Sequence, residues 1–206
     1  MNDHVAAGEH TPALEPELGA AVKHSPSPRC RAQALGLLAV AIVVFAIDQL
    51  SKNWVVANLT EGQTVPVLGD FLQWHFVRNP GAAFSFATGA TWIFTILAVV
   101  VIAAILWQVR RLGSRLWAVF FALLLGGVLG NLADRLTRPP GFPVGHVVDF
   151  ISTPWMWFWG GGGIYNVADI AIVSAMVLFV LISLFGVPID GSPRARRRTG
   201  DTEAAA

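Results

Sequence analysis

Four long stretches of this chain carry almost no charge, and no other feature constrains its fold so tightly. Residues 32–47, 79–109 and 116–133 contain no Asp, Glu, Lys or Arg, and residues 165–187 contain only Asp169. A hydrocarbon core ~30 Å thick takes ~20 residues of helix to cross. Lipid offers no partner for a bare backbone N–H or C=O, so spanning segments of this kind must be helices. The spans are expected at about 34–56, at about 90–109, between Arg115 and Asp134, and at about 165–187. Composition agrees: 54% of residues are hydrophobic and 13% are charged, the latter about half the ~25% of a soluble domain. These figures exclude a disordered chain, a coiled coil and most soluble enzymes. Cys30 is the single cysteine, which excludes a disulfide scaffold, and a net charge of +1 gives no basic field for nucleic acid.

The spans define three parts. Residues 1–32 are expected to be a disordered cytoplasmic tail, interrupted by Pro12, Pro16, Pro26 and Pro28 and without an apolar period. Residues 33–187 form the four-helix transmembrane domain, and 188–206 a basic cytoplasmic tail carrying Arg194, Arg196, Arg197 and Arg198. Ten Lys and Arg residues fall on the side of the two termini and four on the other. The positive-inside rule therefore places both termini in the cytoplasm. Two connections face outward. In the first, Val65 to Val77 with a Gly69-Asp70 turn predicts a short hairpin at the membrane surface. In the second, Trp155, Trp157, Phe158 and Trp159 suit an interfacial aromatic belt. The expected class is an all-α membrane protein: four transmembrane helices with a small extracytoplasmic β-hairpin and loop element.

The polar residues near the spans gather at one depth, the outer interface. Asp48 and Lys52 lie four apart near the end of the first span, on one face, and read as a structural pair. Asn131, Asp134 and Arg135 share a face at the end of the third. Asp134 and Arg135 are neighbours that point apart, so each needs another partner. Gly126, Gly127 and Gly130 suit close helix packing. Asp169, within the fourth span, has no basic residue three or four positions away, and Asp149, in the loop before it, has none nearby except His146. An unpaired carboxylate in apolar surroundings costs several kcal/mol or takes up a proton. Two such groups brought together share one proton, and can then act as general base and general acid on water. Spacing alone does not bring them together. A carboxylate-pair hydrolase, a small proton-coupled transporter and a structural scaffold all stay open on composition and topology.

Five blocks narrow the choice. They are Asp48-Gln49-Leu50-Ser51-Lys52; Arg78-Asn79-Pro80-Gly81-Ala82-Ala83-Phe84-Ser85; Gly126 through Arg135; Gly145-His146-Val147-Val148-Asp149-Phe150; and Tyr165-Asn166-Val167-Ala168-Asp169. In that order, at those helix ends, they resemble the lipoprotein signal peptidases (signal peptidase II), aspartic peptidases of the bacterial inner membrane. The resemblance covers about 35–187. It implies that Asp149 and Asp169 are the catalytic aspartates, and that Asn79, Gly81, Asn131, Arg135 and Asn166 line the site or contact substrate. It implies that Asp48, Lys52 and Asp134 hold the architecture. The implied substrate is a prolipoprotein whose lipobox cysteine carries a diacylglyceryl group, cut just before that cysteine. No cofactor and no metal are expected, because no ligand cluster has metal spacing. The expected partners are lipid-modified prolipoproteins and membrane lipids, not nucleic acid, and four helices with the site on one chain allow a monomer. Tyr165 stands where the family often has Phe. Gly160 to Gly163, between the two aspartates, predict a pliable outer loop over the site.

Overall fold

The computed structural model describes residues 28–81, 91–156 and 163–193, with side chains from residue 31. Four helices, α1 (Pro28–Asn58), α2 (Thr91–Gln108), α3 (Arg115–Thr137) and α4 (Val167–Leu184), fall on the four expected segments. Each is long and apolar enough to cross a bilayer. α1 starts earlier than the expected position near 34, at a proline, which the first turn tolerates because its N–H would have no helical partner. Of the expected tails 1–32 and 188–206, residues 1–27 and 194–206 lie outside the described residues, as do residues 157–162 of the glycine-rich loop with Trp157, Phe158 and Trp159.

α3 is the central helix: 56% of its apolar window is buried, against 17%, 11% and 22% for α1, α2 and α4. Its glycines explain the approach. A Cβ on Gly126 would lie 2.7 Å from Val44 Cβ of α1, and one on Gly127 would lie 2.6 Å from the Ala168 carbonyl oxygen of α4. Backbones pack this closely only where side chains are absent.

At the end of the bundle where α1 and α3 finish and α2 and α4 begin lies an antiparallel sheet in the order β1 (Thr64–Pro66), β2 (Gln73–Asn79), β3 (Val147–Thr153), β4 (Gly163–Tyr165). The expected hairpin is β1 with β2, pairing Val65 with Trp74. The sheet is larger than a hairpin because the second connection supplies two strands that sequence left as loop. β3 is buried on both faces, so its Val147–Thr153 run lacks the alternation that marks a half-exposed strand, and β4 has only three residues. An irregularity between Trp74 and Val77 of β2 leaves Val77 opposite Asp149 and Asn79 opposite Val147. Trp155, expected in an interfacial belt, stacks its ring on Phe71 at 4.8 Å and donates from Nε1 to the Phe71 carbonyl.

At the other end, the amides of Gly113 and Ser114 donate to the Ile189 carbonyl, and Trp117 Nε1 donates to that of Val187. The α2–α3 connection is thereby tied to the segment after α4.

Candidate active site

The candidate site is built where α3, α4, β2 and β3 meet. Asp149 sits in the middle of β3, 2% exposed. Asn79, at the end of β2, is opposite Val147, so Asp149 is its diagonal neighbour on the same face. Asn79 Nδ2 donates to Asp149 Oδ2 at 2.8 Å. Gly81 holds that amide in place, its N–H donating to Asn79 Oδ1 at 2.8 Å. Gly81 has φ +111°, and a Cβ there would meet the Phe94 ring at 2.7 Å, so glycine is required twice over.

Asp169 is in the first turn of α4, where Asn166 caps the helix. Asn166 Oδ1 accepts from the Asp169 N–H at 2.9 Å, and Asp169 Oδ2 accepts from the Asn166 N–H at 3.1 Å. This reciprocal capping box fixes both side chains. The remaining donor face of Asn166 reaches the other carboxylate: Nδ2 donates to Asp149 Oδ1 at 2.6 Å. Asn166, fully buried, thus links the two aspartates. Asn131 of α3 completes the ring. Its Nδ2 donates to Asp169 Oδ1 at 2.8 Å, while its Oδ1 accepts from Asn166 Nδ2 at 3.2 Å and from Lys52 Nζ at 2.9 Å.

Asp149 accepts amide donors and, among the described residues, no ion pair within 4 Å. Burial pushes its pKa up to about 7, and the neighbouring Asp169 charge pushes the same way. Hydrogen bonds from Asn79 and Asn166, and the more distant Lys52, pull against this and lose.

Lys52 stands behind this ring. It is fully buried and 2.8 Å from both Asp48 and Asp134. Asp48 Oδ1 accepts the Ala168 N–H of α4 at 2.9 Å, and Asp134 Oδ2 accepts the Val148 N–H of β3 at 3.2 Å. The cluster therefore joins α1, α3, α4 and β3. Asp134 also accepts from Arg138 Nε, which answers the sequence question of where Asp134 finds its second partner. Arg135 turns away from it. Its guanidinium lies over the Phe94 ring at 5.1 Å, and Nη1 is buried with no hydrogen-bond partner among the described residues.

All ten residues singled out in the sequence thus lie in or against one network. Gln49 and Arg138 are network members that sequence reasoning missed. Gln49 Nε2 donates to Asp48 Oδ2 at 3.1 Å and to the Gly130 carbonyl at 3.0 Å. Gln49 lies inside a quoted block, which was the available signal. Arg138, counted only as a topology charge, is four residues from Asp134, the helical spacing that finds such pairs. Arg78, inside a quoted block, pairs with Glu61 at 3.3 Å and covers the Phe76 ring. Among the described residues no group of His, Cys, Asp and Glu converges to ligate a metal.

Residues 40–185 match the family described as "Signal peptidase (SPase) II". The chain is 46% identical over 205 residues to the lipoprotein signal peptidase of Leifsonia xyli subsp. xyli, covering 98% of this chain and 93% of that one. It is 46% identical over 161 residues to that of Mycobacterium avium, covering 78% and 85%. Its fold resembles a solved bacterial membrane enzyme with a TM-score of 0.66 at 24% identity, covering 78% of this chain and 94% of that one. A second such structure gives 0.64 at 26% identity, covering 72% and 92%. The chain belongs to the signal peptidase II family and is a multi-pass membrane peptidase of the aspartic type.

Proposed function

We propose that this peptidase, whose family removes signal peptides from prolipoproteins, cuts diacylglyceryl-modified precursors just before the lipidated cysteine, with Asp149 and Asp169 as its catalytic pair. The observation that carries this reading is the link through Asn166: two carboxylates meet one amide residue and, among the described residues, no cation pairs with either. With Asp149 raised to about 7, the pair retains one proton up to neutral pH. The ionised member takes a proton from water as the oxygen attacks the scissile carbonyl carbon. The protonated member gives its proton to the carbonyl oxygen. Collapse of the tetrahedral intermediate breaks the C–N bond: one hydroxyl returns its proton to the aspartate that had protonated the carbonyl oxygen, and the proton gained from water leaves with the cysteine amine.

Asn131 and Asn166 act by holding the carboxylates, since their amides are already engaged there. Arg135 is the member with a donor to spare, and Nη1 is assigned to the substrate carbonyl. Asn79 and Gly81 complete the wall beside Asp149. Asp48, Lys52 and Asp134 hold the frame. Residues 33–187 form the peptidase unit, and one chain suffices as a monomer because every named group comes from it.

The excess of Lys and Arg on the terminal side supports cytoplasmic termini and an extracytoplasmic sheet. The site then lies at the outer headgroup level, where a lipidated cysteine sits and water has access. The test is digestion of matched precursors with and without the diacylglyceryl group by purified protein, with product masses locating the cut. Cleavage of the lipidated form alone, just before its cysteine, is expected. Equal cleavage of both, or a cut elsewhere, overturns the substrate assignment.

A further inference from the structure

Away from the site, α1 and α3 run side by side in the same direction from the opposite end of the bundle, and between residues 33–40 of α1 and 115–122 of α3 lies a groove of about 240 Å³. Its polarity is graded. Gln33 and Arg115 stand at the mouth, and Gly36, Val40, Val119 and Ala122 line the wall toward the bilayer centre. From Gln33 to Val40, and from Arg115 to Ala122, the walls run about two helical turns, ~10 Å. Gly36 makes the space: a Cβ built there meets nothing within 4 Å.

The mouth carries one cation, Arg115, and further arginines lie at the same end of the bundle. Arg31, Arg110, Arg111 and Arg115 gather at this end, and among the described residues none has a carboxylate within 4 Å. Asp190 is the one acid at this end among those residues, and its carboxylate accepts the Ser192 N–H. Charge at the headgroup level above an apolar slot two turns deep is the complement of one molecule class, an anionic phospholipid. We propose that this groove binds an anionic phospholipid, with one acyl chain against Gly36 and Val119 and its phosphate on Arg115 and Gln33. Basic sites between helix ends select anionic headgroups in this way. A packed protein helix would fill the slot but has no need of the arginine. The larger groove beside α2, lined by Trp92, Ile96, Val99, Leu136 and Phe142, has no charge at its rim to select an occupant.

The test uses the purified full chain in mild detergent. Retention of phosphatidylglycerol and of phosphatidylcholine with matched acyl chains is measured by native mass spectrometry, with mass by light scattering in parallel. Wild type is expected to retain phosphatidylglycerol about fivefold better, the worth of one basic residue at a lipid surface. Arg115→Gln is expected to erase that preference, and Gly36→Leu to lower retention of both lipids by filling the slot. Both variants lie far from the aspartates and keep wild-type peptidase activity, which certifies their folding. No preference in wild type, unchanged retention in either variant, or equal binding of soluble glycerol phosphate overturns the proposal. So does a wild-type dimer that Gly36→Leu makes monomeric, since a second copy then fills the groove.

Discussion

Two sets of buried carboxylates share one network at the sheet end, and they are compensated in opposite ways. Asp48 and Asp134 each lie 2.8 Å from the Lys52 ammonium, and Asp134 also holds Arg138. Asp149 and Asp169 receive amide donors from Asn79, Asn131 and Asn166. An ammonium between two carboxylates sets a cation against both and fixes four elements around them. Amides orient a carboxylate without cancelling its charge, so the proton stays available for chemistry. With the roles proposed above, one depth in the bundle holds a fastener and a reagent built from the same side chain. Asn131 joins them, accepting from Lys52 and donating to Asp169.

The largest expected effect separates the two. Asp149→Asn or Asp169→Asn removes the proton chemistry, and cleavage of lipidated precursor falls ~10²–10⁴-fold or more while the protein still folds. Lys52→Met breaks the fastener: buried Asp48 loses its cation and Asp134 keeps Arg138 alone. It should cost ~3–5 kcal/mol in denaturant unfolding, and activity is lost with the fold.

The pH dependence sharpens the contrast. Asp149 binds its proton more tightly in the folded chain, at about 7, than at the ordinary aspartate value of 3.8. The stability it contributes is full below pH 3.8 and is lost as pH rises to about 7, by up to ~4 kcal/mol. Thermal unfolding should show wild type less stable at pH 8 than at pH 5, and Asp149→Asn should flatten that slope.

How much of this was legible in sequence depended on distance along the chain. The four spans were readable because lipid demands long uncharged helices, and the β1–β2 hairpin because Gly69-Asp70 marks its turn. Asp48 with Lys52 was readable because helical neighbours lie four apart. The second acid on Lys52 was not, since Asp134 is 82 residues away and no local period points to it. β3 was quoted as a motif and taken for loop, because a strand buried on both faces has no alternation to read. Its pairing with β2 is what sets Asn79 beside Asp149. The resemblance had named those residues without saying what touches what, and the Asn166 bridge between the aspartates is visible only in three dimensions.

Smaller effects probe the frame. Gly130→Ala would drive a Cβ to 2.5 Å from Asp48 Oδ2 and 3.2 Å from Ala168 Cβ. It should destabilise by ~1–3 kcal/mol and lower activity with it, because the frame carries the site. Glu61→Gln removes a half-exposed partner of Arg78 at the sheet edge. It should change stability by less than ~0.5 kcal/mol and leave turnover alone.

The most direct measurement runs Asp48→Asn, Asp134→Asn, Asp149→Asn and Asp169→Asn side by side, each assayed for cleavage of a diacylglyceryl-modified precursor and for thermal unfolding. A crossed result is expected. The first two lose stability, with activity falling only as folded protein is lost. The last two stay folded and lose turnover. Full activity in Asp149→Asn or Asp169→Asn, or a well-folded but inactive Asp48→Asn, would contradict it.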